Sequence, residues 1–275
     1  MLKFEHVSFR YPGNDTGIND LSFHIKKGEF VSLIGSNGAG KSTISRLANG
    51  LLSPISGTVF IDGKSTKSMR TSEIAKRVGF LFQNPDRQIC QNTVREELAF
   101  GPTIQKIPQE EIEKRVSEAL DFFSLNGNWF PFSCSRGQRQ RIALASVLVC
   151  NPDLIILDEP TTGLDYKECT AIMDYLTNLN KEKGLTILMV SHDMELVQQY
   201  ASRVLVLTDG TLIGDGETNQ IMKDSALLSR AHVLPAQIPA LALKLDEIRN
   251  RNEFKDVYTI DDMFKTIVSI VSKEA

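Results

Sequence analysis

Long apolar runs are missing from this chain of 275 residues: nothing in it approaches the ~18 consecutive apolar residues that a membrane-spanning helix needs. If the protein serves a membrane process, the expectation is that it does so from the cytosol and through a partner. Metal-type cysteine spacing is missing as well. Cys90, Cys134, Cys150 and Cys169 form no CxxC pair, which argues for reduced, mostly buried thiols. Charge of one sign is also lacking. A formal net charge of −3 and a pI near 5.9 leave no electrostatic footprint for nucleic acid beyond a local patch. The first residues, Met1 to Val7, alternate like a strand and lack the apolar core of a signal peptide. The length favours one large α/β domain with an appendage over two full domains.

What is present begins with Gly35-Ser36-Asn37-Gly38-Ala39-Gly40-Lys41-Ser42-Thr43, which has the glycine, lysine and hydroxyl spacing of a phosphate-binding loop. The apolar run over residues 30–34 enters it as a strand. Ile44, Leu47, Ala48, Leu51 and Leu52 follow at helical spacing, with Ser53-Pro54 as the expected stop. Glycines let the backbone curl so that N–H groups converge on phosphate oxygens, and the helix N-terminus adds partial positive charge. Lys41 would reach the β- and γ-phosphates and Ser42 would ligate Mg²⁺, so a nucleoside triphosphate is the expected ligand.

Strand candidates lie at residues 3–9, 21–25 and 30–34, joined by short turns, and read as a small β layer leading into the loop. Strands at 58–62 and 78–82 follow, with a helix at 71–76 between them. From about residue 85 to 150 the pattern becomes helical, including 109–123 and 139–149, and looks like an insert. Continuous apolar strands return at 154–157, 186–190 and 204–207, as suits a parallel sheet covered on both faces. Past about residue 230 come Pro235, Pro239 and two short helical patterns. In the last, Ile260, Met263, Phe264, Ile267, Val268 and Val271 share a face, and Thr259 with Asp262 resembles a capping box. That face either packs on its own domain or contacts another subunit.

Leu154-Ile155-Ile156-Leu157-Asp158-Glu159 places two acids at the carboxyl edge of the sheet, where ligands of open α/β folds collect. Asp158 suits Mg²⁺, and Glu159 suits a general base for the attacking water.

With these motifs in this order, residues 1 to 230 resemble the ATP-binding subunits of ATP-binding-cassette (ABC) transporters. The resemblance implies an α/β fold of P-loop NTPase type: a mostly parallel sheet, an N-terminal antiparallel β layer, a helical subdomain at about 85–150 and a C-terminal helical extension at 231–275. It makes Tyr11 the aromatic that stacks on adenine, Gln83 a residue that touches Mg²⁺ or the water, and His192 a contact to the γ-phosphate. Leu164-Asp165 matches the loop that crosses the dimer seam. The signature segment, usually Leu-Ser-Gly-Gly-Gln, stands here as Cys134-Ser135-Arg136-Gly137-Gln138. Ser135, Gly137 and Gln138 remain for contact with ATP bound by the opposite subunit, whereas Arg136 puts a long cation where close backbone approach is expected. It either points outward or pairs with phosphate charge.

The runs Phe82-Gln83-Asn84-Pro85-Asp86-Arg87-Gln88 and Val94-Arg95-Glu96-Glu97-Leu98 are similar to those of energy-coupling-factor importers, as is Leu234-Pro235-Ala236-Gln237-Ile238-Pro239. That branch implies uptake of a vitamin or of cobalt or nickel. Its partners would be a second ATPase subunit, identical or related, with a transmembrane coupling protein and a membrane substrate-capture protein, and no nucleic acid. The chain would then sit peripherally on the cytoplasmic face of the cell membrane. Glu96 and Glu97 either receive an arginine from a coupling helix or form a solvated helix face. A soluble cassette acting on nucleic acid or ribosomes is the alternative, but the coiled coil, zinc ligands, second cassette and basic arm typical of such relatives are missing. A small-molecule kinase would need neither the signature segment nor His192.

Overall fold

The computed structural model describes residues 1–13 and 17–274. In chain order the elements are β1 (Leu2–Arg10), β2 (Gly17–Ile25), β3 (Phe30–Gly35), α1 (Lys41–Ala48), β4 (Ser56–Ile61), β5 (Lys64–Ser65), α2 (Thr71–Ala75) and β6 (Val78–Leu81). A helical stretch follows: α3 (Val94–Ile104), α4 (Gln109–Phe122) and α5 (Arg136–Leu148). Then come β7 (Leu154–Asp158), α6 (Tyr166–Lys183), β8 (Thr186–Val190), α7 (Met194–Tyr200), β9 (Arg203–Thr208) and β10 (Thr211–Glu217). The chain closes with α8 (Thr218–Lys223), α9 (Ser225–Arg230), α10 (Gln237–Arg249) and α11 (Ile260–Glu274).

Two sheets organise these elements. One is antiparallel, in the order β2-β1-β4-β5; the other runs β10-β9-β3-β8-β7-β6, parallel except for β10. Every residue of β3, β7 and β8 is buried, as a strand covered on both faces requires. Alternation along β7 divides the core: Ile155 and Leu157 face the helices of the 85–150 region, while Leu154 and Ile156 face α1 and the antiparallel sheet. Each fully buried aliphatic side chain contributes about 1.5–3 kcal/mol through area removed from water.

Several expectations change. β3 does not join β1 and β2 in one layer; it pairs with β8 and β9 at the centre of the parallel sheet. Its apolar run, unlike the alternation of β1 and β2, is that of a strand covered on both faces, and the short turn from β2 does not carry it into their sheet. α1 stops at Ala48, short of Ser53-Pro54. Gly50, at φ +73°, turns the chain out of the helix while Leu52 N–H returns to the Arg46 carbonyl at 3.0 Å, leaving Leu51 half exposed. Of the thiols, Cys134 and Cys169 are buried, Cys150 is intermediate and Cys90 is exposed; all are free.

At the far end Thr259 and Asp262 do form the capping box ahead of α11. Met263 packs with Ala242, Phe254 and Val257, but Ile260, Phe264, Ile267, Val268 and Val271 are exposed. Most of that apolar face therefore does not pack on its own chain.

Candidate nucleotide site

The site forms where β3, β7 and β8 end. Gly35 closes β3 at φ +148°, where a Cβ would stand 2.1 Å from the Leu207 carbonyl oxygen, so the loop can leave the sheet here only through glycine. Gly40 caps α1 at φ +105°, with Ile18 Cδ1 2.6 Å from a would-be Cβ. Between them Ser36, Asn37, Gly38 and Ala39 form the curl, with Ala39 buried and Asn37 and Gly38 exposed.

Lys41 is only 6% exposed, and its Nζ donates to the carbonyls of Gly35 (2.7 Å) and Ser36 (2.8 Å). Burial pushes its pKa down, opposed by the charges of Glu159 and Asp158. Asp158 is pushed the other way: burial and then the Glu159 carboxylate raise it, against a hydrogen bond from Ser42. A buried carboxylate beside a hydroxyl and a second carboxylate, with Arg46 and Lys41 opposing the charge, is an oxygen-donor set that fits a hard divalent cation.

Glu159 follows with φ +53°, an uncommon conformation for a residue with a side chain, held by its N–H on the Val190 carbonyl at 3.0 Å. This twist turns its carboxylate into the cleft. Gln83 Nε2 donates to Glu159 Oε2 at 3.0 Å, Thr162 Oγ1 lies 3.3 Å from the same oxygen, and His192 Nε2 stands 3.4 Å from Oε1. Burial first and then Lys41 lower the His192 pKa, with Glu159 opposing, so the imidazole is neutral at neutral pH. Tyr11 stands edge-on to Phe9, its hydroxyl 3.3 Å from Thr43 Oγ1. These residues line a cleft of ≈ 320 Å³ that includes Tyr11, Lys41, Ser42, Gln83, Glu159 and His192.

Ser135, Gly137, Gln138 and Asp165 do not line that cleft. Ser135 caps α5: its Oγ accepts from Gln138 N–H (3.2 Å) while Gln138 Oε1 accepts from Ser135 N–H (2.8 Å). A Cβ on Gly137 would come 2.9 Å from the Gly163 carbonyl, so the first turn of α5 passes the Gly163 loop closely. Asp165 caps α6 through Glu168 N–H at 2.8 Å, and Glu168 in turn binds Arg141 at 2.6 Å, tying α5 to α6. Arg136 lies along Gly163 of its own chain, its Cγ and Cδ 3.3 Å from a would-be Cβ there.

The two acids of α3 part company. Glu96 completes a capping box with Thr93, but Glu97 is 4% exposed and its Oε2 accepts from the N–H groups of Cys90 and Gln91, each at 2.9 Å. The solvated-face reading does not fit Glu97, one of whose carboxylate oxygens is held by its own backbone. Thr162 and Arg46, which donates to Tyr11 Oη at 3.4 Å, belong to the neighbourhood and were not foreseen. Thr162 stands three residues past the Asp-Glu pair, a spacing that gave the available hint.

The ABC transporter family model matches residues 18–162. Over its full length the chain is 41% identical to the energy-coupling factor transporter ATP-binding protein EcfA of Methanocaldococcus jannaschii, covering 99% of that protein. The chain belongs to the ABC transporter family. It is 37% identical to EcfA2 of Clostridium tetani, covering 98% of it. Among solved structures, cbiO1 of Clostridium perfringens, part of the cbiONQ transporter complex, superposes with a TM-score of 0.74 at 32% identity, over 90% of this chain and 98% of that one. An ATP-binding cassette solved as a dimer after hydrolysis, with ADP and Pi bound, gives 0.73 at 32% identity, over 79% and 99%. The chain is thus an ABC ATPase built on the family's α/β fold, and among its described residues no helix is long and apolar enough to cross a membrane.

Proposed function

We propose that this chain is the ATP-hydrolysing subunit of an energy-coupling-factor-type importer that drives uptake of a vitamin or of a cobalt or nickel ion. The observation that carries this reading is the end-to-end match to EcfA, which includes the residues beyond 230 as well as the cassette. Residues 1–230 are the nucleotide-binding domain, with its helical subdomain at about 85–150, and residues 231–275 are an extension that helps pair two ATPases. The exposed apolar face of α11 supports that pairing.

In this reading Lys41 exchanges its two carbonyl partners for the β- and γ-phosphates, and Tyr11 stacks on the adenine. Ser42, Asp158 and Gln83 would hold Mg²⁺, which when bound would offset phosphate charge. Glu159 takes a proton from water as the water oxygen bonds to the γ-phosphorus; the bond to the β,γ-bridging oxygen breaks and its electron pair leaves with ADP. Gln83 and Thr162 orient the Glu159 carboxylate and His192 contacts the γ-phosphate, so the chain contributes position and charge. Ser135, Gly137, Gln138 and Asp165, absent from their own cleft, serve the ATP of a second ATPase subunit placed head to tail. That pair docks at the cytoplasmic face of the cell membrane on a transmembrane coupling protein, beside a membrane substrate-capture protein.

Purification of the full chain from a detergent extract, with ATP turnover measured alone and with the co-purifying subunits, tests this. A retained hydrophobic partner that changes turnover is expected. Retained nucleic acid or ribosomes in its place would overturn the importer reading.

A further inference from the structure

A second cleft, of ≈ 430 Å³, opens beside the nucleotide cleft, and the two share Ser42, Gln83 and Asp158 as lining. Arg46 reaches it from α1, Arg87 from the turn Pro85–Arg87, and Arg136 and Arg139 from the first turns of α5. Two carboxylates face these cations: Asp86 binds Arg139 Nε at 2.7 Å, and Asp158, which accepts from Ser42, lies in the field of Arg46. Among the described residues Arg46, Arg87 and Arg136 form no ion pair, and the one hydrogen bond of the Arg46 side chain goes to Tyr11 Oη. Four guanidinium groups set against two carboxylates in a concave site leave a net positive field and present fork-shaped donors to a tetrahedral oxyanion.

We propose that this cleft is an orthophosphate site that takes the phosphate released by hydrolysis before it leaves the protein. The reaction creates one new oxyanion, and it does so at the junction that the two clefts share. Arg136 thus gains a role in its own chain: it lies along Gly163 and adds its charge to the exit side of the γ-phosphate. The proposal rests on the nucleotide reading above and adds a site to it.

The test is equilibrium dialysis of labelled orthophosphate against the full chain saturated with β,γ-imido-ATP and Mg²⁺, so that the phosphate loop is filled. Saturable uptake of one phosphate per chain is expected, weakened about tenfold or more in Arg87→Ala and in Arg136→Gly, and largely kept in Arg87→Lys. Arg87 is exposed and outside the nucleotide cleft, so Arg87→Ala should bind the analogue normally. During turnover, added phosphate should inhibit without competing with ATP, and less so in Arg87→Ala; this arm links the site to product and not only to phosphate from the medium. Analogue bound but no phosphate taken up, uptake indifferent to both substitutions, or inhibition purely competitive with ATP would each overturn the proposal alone. Analogue binding that survives Lys41→Ala would overturn the nucleotide reading and this proposal with it.

Discussion

Glu97→Ala should destabilise the protein out of proportion to its small loss of apolar area. The carboxylate is 4% exposed and one oxygen holds both the Cys90 and Gln91 N–H groups at 2.9 Å. Alanine leaves two part-buried donors without their acceptor, each costing up to about 1–3 kcal/mol, while relief of the buried charge returns part of that; the net loss is about 2–4 kcal/mol. Glu97→Gln keeps a carbonyl oxygen for the two amides and should cost about 1 kcal/mol. At roughly 2–4 °C per kcal/mol for a chain of this size, the melting temperature should fall by about 4–16 °C for alanine and about 2–4 °C for glutamine. Urea unfolding checks the energies through a lower midpoint at constant m-value. The bound segment follows the loop that carries Gln83, so ATP turnover should fall in the alanine variant too. An alanine variant within about 0.5 kcal/mol of the parent, or a glutamine variant as damaged as alanine, would refute the reasoning.

Asp158→Asn should raise the melting temperature of the nucleotide-free protein while weakening Mg²⁺-ATP binding. The folded-state pKa of Asp158 lies above its unfolded value, so its favourable contribution is complete below the unfolded pKa near 3.8 and is lost as pH rises through the folded one; at neutral pH the charge is a liability that asparagine removes. For His192 the folded-state pKa is the lower one, so the native protein resists protonation and stability should fall as pH drops below about 6.5; His192→Asn should flatten that part of a thermal-melt profile. Gly40→Ala meets Ile18 at 2.6 Å from a backbone at φ +105°, and should weaken ATP binding at least tenfold in a filter-binding assay.

Much of the parallel sheet was legible because its strands carry unbroken apolar runs: residues 186–190 read as a strand and form one, and 154–157 gains only Asp158. The loop from Gly35 to Thr43 was legible for the same local reason, since its glycines, lysine and hydroxyls must be adjacent in sequence to act together. What stayed hidden depends on distant partners. β3 follows β2 after a short turn yet pairs with β8 and β9, strands more than 150 residues away. β10 carries two glycines and little burial, and is held by its register against β9. Glu97 and Glu96 are neighbours of the same chemistry; helical periodicity turns one to solvent and the other onto the Cys90–Gln91 backbone. The hydrogen bond between Gln83 and Glu159 spans 76 residues, so only the family resemblance brought the two together in advance.

The central claim, that this chain grips ATP through Lys41 and hydrolyses it through Glu159, is tested most directly by the Glu159→Gln protein incubated with γ-labelled ATP and Mg²⁺. The account predicts ATP retained at parental affinity, absent when Lys41→Ala is added, with no labelled phosphate released. Phosphate released at the parental rate, or ATP held equally well without Lys41, would contradict it.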